Sequence, residues 1–300
     1  INYIGRERQM INWKVHKDTI SLIKLEHFDP VHTFECGQCF RWQQSDNGNW
    51  IGVAKNRALE VEWTGQDLVF HNTSERDFFN IWYTYFDLGR DYGQIKKRLS
   101  KNDTIMQEAI SFGGGIRLLK QDFEETLISF LISQNNGILR IRKIVEALSR
   151  KFGEHIIASK QEAYSFPTCE KLSGITLEEL GSIRAGYRDK YIYKAARQMC
   201  MREVDMDTIE DGSLKDARSE LLKLFGVGEK VADCTLLFSG MRHDIFPIDR
   251  WVKRVMAELY IGYEASNEEI AGFAEQKFGE LAGFAQQYLF YYAREKKIGM

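Results

Sequence analysis

Two different spacings of apolar residues divide the chain into two parts. Leu59, Val61 and Trp63 alternate with glutamates, which is the period-two pattern of a half-buried strand. An Asn-Gly pair at 47–48 stands between two apolar runs and predicts a β-hairpin, because both residues tolerate positive φ. We therefore expect an antiparallel sheet before the glycine triplet at 113–115.

Helical periodicity dominates after that triplet, and a short aromatic-rich helical section is already predicted from about 75 to 112. Phe123, Leu127 and Phe130 share one face of the first later helix. The predicted fold class is α+β, with an antiparallel β domain over residues 1–115 and an all-helical domain over 116–300. Further helices are predicted at 191–201, 214–224, 229–238, 250–259, 267–278 and 284–294.

Composition excludes several classes of protein. The 300 residues are 44% hydrophobic and 28% charged, as in ordinary globular proteins. No apolar run reaches the roughly 18 residues that a membrane span needs, and the first residues lack a signal-peptide core, so we expect an intracellular protein. An odd cysteine count with one isolated Cys36-x-x-Cys39 pair predicts neither a disulfide framework nor a zinc or iron–sulfur site. We expect no cofactor.

A net charge of −2 argues against a protein that coats nucleic acid, but a local basic face can still bind DNA. Two helices supply the candidates, and the alternative is that these are ordinary solvated faces. The candidates are Arg140, Arg142, Lys143, Arg150 and Lys151, then Arg184, Arg188, Lys190, Lys194 and Arg197.

The segment Gly226-Val227-Gly228 connects two amphipathic helices. Glycine permits a tight turn and close approach, and the amide groups at the start of the second helix suit an anionic oxygen. We predict that Gly226, Gly228 and Val231 contact a DNA phosphate. The alternative is a plain two-helix corner.

Lys230 follows this hairpin directly, and Asp249 comes nineteen residues later, after Pro247-Ile248. A cation is disfavoured at a helix N-terminus, so the position favours the uncharged amine, which is the form that attacks carbon. Asp249 could cap the helix that begins at Arg250, or it could stabilise a cationic sugar or transfer a proton.

These stretches resemble the active-site signature of the helix-hairpin-helix DNA glycosylases, and within them of the 8-oxoguanine DNA glycosylases. The lysine after the hairpin is the mark of the bifunctional enzymes. The other matches, which point to 8-oxoguanine, follow the family's order over most of residues 35–294. They are 37–42, 118–122, 133–136, 186–188 and 285–290.

The resemblance implies a reaction on a base flipped out of duplex DNA. Lys230 would attack C1′ and displace the damaged base, and the resulting Schiff base would allow β-elimination on the 3′ side. Asp249 would stabilise the positive charge on the sugar. The expected partner is double-stranded DNA containing 8-oxoguanine, bound by a monomer without a membrane anchor.

Recognition of the base is also implied by the resemblance. The Gly37 carbonyl would accept the N7–H that 8-oxoguanine has and guanine lacks. Gln286 would read the Watson–Crick edge, while Phe290 and Cys234 would cover the two faces of the base.

The orphaned cytosine would be met by a second group of residues. Asn135 would fill the hole that the flipped base leaves, and Tyr187 would wedge between bases. Arg140 and Arg188 would donate to the cytosine, which predicts a preference for lesions opposite C.

Some positions depart from the family's pattern. Gly137 replaces the third Asn of the family's Asn run, and Trp251 replaces a phosphate-contacting His. Cys39 and Gln134 stand where the vertebrate form has serines, which we interpret as packing changes. No catalytic metal is expected, but family hairpins often carry a monovalent cation, here on the carbonyls of Leu222, Leu224 and Val227.

Two other functions remain open at this point. One is a monofunctional 3-methyladenine glycosylase of the same superfamily, which would lack the lysine at 230. The other is a non-catalytic hairpin module that binds duplex DNA through Gly226, Gly228 and the basic faces. Residues 1–10 resemble no part of the family, and Met10 could be the native start.

Overall fold

The computed structural model describes residues 11–157 and 162–299, and its first part is a six-stranded antiparallel sheet. The strand order is β1-β2-β6-β5-β4-β3. A second, two-stranded sheet lies within the later part and was not predicted. The strands are β1 Asn12–His16, β2 Thr19–Ile23, β3 Trp42–Gln44, β4 Trp50–Ala54, β5 Arg57–Trp63, β6 Leu68–His71, β7 His155–Ile157 and β8 Glu162–Tyr164.

The predicted hairpin at 47–48 is confirmed as the connection between β3 and β4, with Gly48 at φ +88°. Leu59 and Val61 of β5 are buried, as the alternation predicts. Trp42 is also buried and lies over Gly52 of the neighbouring strand, where a Cβ atom would approach the indole to 2.3 Å. Glycine is therefore required at 52 for the indole to pack flat on the sheet.

The rest of the chain is mainly helical. Helices 229–238 and 267–278 have the predicted bounds, whereas 214–224 ends at Leu222 and 250–259 changes to a π-helical turn at Ala257–Ile261. Among the described residues no helix is long and apolar enough to cross a bilayer. The helices are α1 Pro30–Glu35, α2 Glu75–Asp77, α3 Tyr83–Tyr85, α4 Tyr92–Leu99, α5 Thr104–Gly113, α6 Phe123–Ser133, α7 Ile138–Phe152, α8 Cys169–Ser173, α9 Leu177–Gly181, α10 Arg188–Cys200, α11 Met206–Asp211, α12 Leu214–Leu222, α13 Glu229–Phe238, α14 Arg250–Met256, α15 Asn267–Phe278 and α16 Ala282–Lys296, with a π-helical turn at Phe78–Trp82 and a 3₁₀ turn at Gly279–Leu281.

Two hydrophobic cores hold this architecture together. One lies between the sheet and the aromatic helices that follow it, and it includes Trp42, Phe34 and Phe86. The other lies among the later helices, and α4 and α5 contribute Tyr92 and Met106 to it. The predicted boundary at residue 115 stays a prediction, since α4 and α5 precede it in sequence but pack with the helical core.

The buried side chain of Gln38 joins the two parts. Its amide nitrogen donates to the carbonyls of Thr33 and Arg117, both at 2.8 Å, and its oxygen accepts from the Leu119 amide at 2.9 Å. Gln121 in turn donates to the Gln38 carbonyl at 2.8 Å, and its backbone amide donates to the carbonyl of Phe238 at 3.0 Å. The loop that contains Gly37 is thereby fixed to the end of α13.

We predict that Gln38→Leu destabilises the protein strongly, because it leaves the Leu119 amide and the Arg117 carbonyl without their partner and the Thr33 carbonyl with only the weak donor of the Cys36 thiol. Each unsatisfied buried group costs about 1–3 kcal/mol, so we expect a loss of about 3 kcal/mol or more in the free energy of unfolding. Urea unfolding followed by circular dichroism measures it. The matched control is Gln44→Leu, at an exposed glutamine that donates only to the Gly48 carbonyl. Equal stability of the two variants would contradict the prediction.

Candidate active site

Gly37 lies in a loop where only glycine fits the backbone, since its φ is +91°. The carbonyls on either side are occupied: that of Cys36 accepts from Gln287 at 2.9 Å, and that of Gln38 accepts from Gln121 at 2.8 Å. Within the described part of the chain, no donor reaches the Gly37 carbonyl itself. This carbonyl is held firmly on both sides and left available to a ligand.

Helix α16 carries two of the predicted base-binding residues, of which Phe290 lies beside that loop. A Cβ atom built on Gly37 would lie 3.4 Å from the Phe290 ring, so the ring and the glycine are neighbours. Gln286 is 6% exposed, and no described residue hydrogen-bonds to its Oε1 atom. A buried acceptor without a partner is costly, which is the condition that a donor on a ligand would relieve.

Lys230 begins α13, with Gly228 as the N-cap residue. Its Nζ atom is 3.3 Å from the Ser133 hydroxyl, to which it donates, and 4.7 Å from the centre of the Phe130 ring. The side chain is partly buried. The amine therefore points into the protein, towards α6, and not into bulk solvent.

Cys234 lies one turn after Lys230 on the same helix and is buried. Burial raises the pKa of its thiol to about 12, with Lys230 opposing the shift and Asp249 adding to it. The thiol is thus neutral at physiological pH. Lys230 and Asp249 therefore both lie within electrostatic range of this one sulfur.

Asp249 is the N-cap residue of α14 and accepts from the Val252 amide at 2.8 Å. The capping role that the sequence left open is therefore present. The bond to Val252 uses only the Oδ1 atom of Asp249, so capping is compatible with a second role of this carboxylate towards a ligand.

Trp251, the departure from the family's His, is partly buried, and no described residue accepts from its indole nitrogen.

The hairpin before Lys230 has two glycines in different situations. Gly226 has φ +86°, and a Cβ atom there would approach Tyr191 to 2.5 Å. Gly228 has φ −105° and nothing within 4 Å of a Cβ position, so it faces open space. Val231 is 2% exposed, so only its backbone amide, in the first turn of α13, can serve a phosphate. The three predicted phosphate-binding residues are brought together.

The predicted cation site involves the same hairpin. The Leu224 carbonyl accepts from the Val227 amide at 3.0 Å, and Leu222 is exposed at the end of α12. Nothing in these contacts tests the cation, which stays a prediction.

The residues predicted to meet the opposite base lie around the turn between α6 and α7. Asn135 is exposed with φ +48°, Arg140 is exposed in the first turn of α7, and Tyr187 is 51% exposed. Arg188 differs, since it is 4% exposed and donates to the carbonyls of Gln134 and Asn135. Three of the four residues are thus exposed, whereas Arg188 is buried against the carbonyls of the turn.

Gln134 was wrongly interpreted as a packing change. Its side-chain amide donates to the Gly226 carbonyl at 3.0 Å, across 92 positions of sequence.

The basic faces are also smaller than the charge pattern predicts, because Arg142 pairs with Glu35 at 3.1 Å and Arg150 lies within 3.5 Å of Glu146.

Gly228 and Lys230 also line a cavity of about 840 Å³, but this is a poor candidate for the base site. Its lining does not include Gly37, Gln286 or Phe290, and it is rich in carboxylates that would repel a phosphate. We place the site at the other contacts of Lys230, towards Ser133 and Phe130. The carboxylates that line the cavity are Glu229, Asp233, Asp244, Glu268, Glu275 and Glu280.

Two known families match the chain, one after the other. The N-terminal domain of 8-oxoguanine DNA glycosylase matches residues 20–127, and the HhH-GPD superfamily of base excision DNA repair proteins matches residues 128–280. The chain belongs to the 8-oxoguanine DNA glycosylases of the HhH-GPD superfamily.

Individual relatives of this glycosylase come from distant organisms. The N-glycosylase/DNA lyase OGG1 of Arabidopsis thaliana is 30% identical over 89% of this chain and 78% of its own length. A probable N-glycosylase/DNA lyase of Methanothermobacter thermautotrophicus is 32% identical over 65% of this chain and 69% of its own. The 8-oxoguanine glycosylase/lyase of Clostridium acetobutylicum, solved with DNA containing cytosine opposite 8-oxoguanine, has a TM-score of 0.91 at 43% identity, covering 96% of this chain and 99% of that one. The α+β fold class is confirmed.

We predict that the two hairpin glycines of this glycosylase respond differently to alanine. Gly226→Ala should lower the melting temperature by roughly 3 °C or more, because a left-handed φ costs an L-residue about 1–2 kcal/mol and the methyl group overlaps Tyr191. Gly228→Ala should keep the melting temperature and weaken DNA binding, since its methyl group stands on the proposed phosphate surface. Thermal unfolding and fluorescence anisotropy with duplex DNA measure these effects. A stable Gly226→Ala protein would show that the hairpin is more plastic than its geometry indicates.

Proposed function

We propose that the protein is a bifunctional DNA glycosylase and AP lyase that removes 8-oxoguanine from duplex DNA, preferably opposite cytosine. The observation that carries this proposal is the position of Lys230. Its amine is partly buried at the start of α13, beside a hydroxyl and an aromatic ring and one turn before Cys234. A lysine that served only to attract DNA would extend into solvent.

The chemistry begins at the flipped nucleotide. The uncharged Lys230 amine forms a bond to C1′ as the bond from C1′ to the base breaks. The base leaves with the electron pair of that bond and takes up the proton that the nitrogen loses. Asp249 stabilises the positive charge that develops on the sugar, as a fixed charge of opposite sign does. Opening of the sugar ring gives a Schiff base, and loss of a proton from C2′ then expels the 3′ phosphate, which nicks the strand.

Selection of the damaged base rests on the Gly37 carbonyl. This oxygen accepts the N7–H of 8-oxoguanine and repels the lone pair that guanine carries at the same atom. Gln286 pairs with the Watson–Crick edge, and the ring of Phe290 stacks on the base, which is worth about 1–3 kcal/mol. In this structure the ring stands beside Gly37, so the base displaces it on entry.

Opposite-base preference rests on the turn around Asn135. Asn135 fills the vacated space and Tyr187 wedges into the stack, while Arg140 and Arg188 donate to the cytosine acceptors.

The protein acts where the DNA is: the nucleoid of a bacterium or the nucleus of a eukaryote.

We predict that the wild-type protein releases free 8-oxoguanine and nicks the strand, fastest with C, in four duplexes that place the lesion opposite each normal base. Borohydride should trap a covalent protein–DNA adduct by reducing the Schiff base. Lys230→Gln should give no adduct and no release of base. Chromatography of the free base and denaturing gels score the two products separately.

Different results would favour the other functions. Release of 3-methyladenine without nicks would indicate a monofunctional alkylated-base glycosylase. Equal affinity for intact and lesion-bearing duplexes, with no base released from any of them, would indicate a non-catalytic binding module. Either outcome would refute the proposed reaction.

We also predict that Asp249→Asn separates capping from catalysis. Asparagine caps a helix about as well as aspartate, so the melting temperature should stay the same. Loss of the negative charge should slow base release, by roughly 100-fold if it is as effective as other preorganised charges. Single-turnover excision measures the rate. Unchanged excision would leave Asp249 with the cap alone.

A further inference from the structure

Three consecutive residues at the end of α6 contact three different parts of the proposed site. Ser133 accepts from the Lys230 amine at 3.3 Å, and Gln134 donates to the hairpin carbonyl of Gly226 at 3.0 Å. Asn135 is the exposed residue expected to fill the space of the flipped base. The proposed nucleophile and the phosphate-binding hairpin are therefore both hydrogen-bonded to the short segment that also contains Asn135.

Gln134 is the member of this segment with the most connections. Its backbone carbonyl accepts from the Arg188 Nε atom at 2.8 Å and from the Tyr187 hydroxyl at 3.3 Å. Its side chain leaves in another direction and reaches the hairpin. The backbone bonds fix the turn, and the side-chain bond fixes the turn relative to the phosphate-binding hairpin.

The side-chain bond joins two segments that each contain a left-handed backbone residue. Gly226 is held at φ +86° with Tyr191 against it, and Asn135 directly after Gln134 is left-handed at φ +48°. Because Tyr191 restricts Gly226, we expect a shift of the hairpin on binding a phosphate to pass through the Gln134 amide to the turn at residues 134–136, the wedge turn.

We propose that Gln134 is a positioning residue that couples phosphate binding by the hairpin to insertion of Asn135 into the base stack. This inference rests on the proposed function. Gln134 touches neither the base nor the sugar and acts only through Gly226 and Asn135. Its contribution is to base extrusion, before any bond to C1′ forms.

The decisive experiment compares two reactions of the same protein. Excision of 8-oxoguanine requires extrusion of a base, whereas nicking at a preformed abasic site does not. Gln134→Leu, which keeps the size and loses the donor, should slow single-turnover excision by roughly three- to tenfold, the worth of one hydrogen bond, and change abasic-site nicking less than twofold. Gln134→Glu, of equal shape, turns an acceptor towards the Gly226 carbonyl and should slow excision at least as much.

Gln198→Leu is the matched control. Gln198 also holds the hairpin, through the Phe225 amide at 2.7 Å and the Lys223 carbonyl at 3.2 Å, but it forms no hydrogen bond with the wedge turn. This variant should weaken DNA binding and slow both reactions in proportion. A selective loss of excision in Gln134→Leu, together with parallel losses in Gln198→Leu, supports the coupling.

A second measurement is independent of chemistry. A 2-aminopurine beside the lesion fluoresces when the stack opens, and it is followed in a Lys230→Gln background. Adding Gln134→Leu should slow or reduce this signal, whereas adding Gln198→Leu should do so only as far as it lowers occupancy of the DNA. The signal tests the coupling even if the wild-type protein releases no base, the result that would refute the proposed function.

Three results would overturn the inference. The first is a Gln134→Leu protein with unchanged excision and unchanged 2-aminopurine response. The second is a parallel fall of excision, nicking and melting temperature, which would show that the bond serves only stability. The third is a wild-type protein that binds lesion DNA without any opening of the stack.

Discussion

The position of the whole site depends on one buried amide, that of Gln38. It ties the loop of Gly37 to the connection at residues 117–121, and Gln121 continues the connection to the last residue of α13. The carbonyl proposed to read the base and the lysine proposed to attack the sugar come from different parts of the fold. Their distance is set by hydrogen bonds with little freedom, and such bonds are directional where apolar packing is not.

Three further glutamines also act through neutral side-chain amides. Gln287 fixes the carbonyl of Cys36, Gln134 fixes the hairpin to the wedge turn, and Gln286 is buried with an acceptor still to be satisfied. Neutral amides suit this purpose, since each both donates and accepts, and none carries a charge whose burial must be compensated. The site is thus organised by neutral dipoles around one amine and one carboxylate.

Sequence reasoning reached the fold class, the hairpin at 47–48 and the bounds of α13 and α15, because local periodicity and turn chemistry determine these features. It did not reach the small β7–β8 sheet, whose strands are only three residues long. It also misread Gln134, whose partner lies 92 positions away. Nothing in the spacing of a lone glutamine signals such a contact; the only available signal was its place between a serine and an asparagine that both belong to the family's pattern.

Burial of the cysteines has a consequence for the durability of the protein. Burial raises the pKa of Cys36 and Cys234 to about 12 and raises that of Cys39 well above its usual value. Peroxides react with thiolates far faster than with thiols, so these sulfurs are resistant to them. Peroxide therefore finds no ready thiolate at Cys36, Cys39 or Cys234, and we expect these three positions to withstand it.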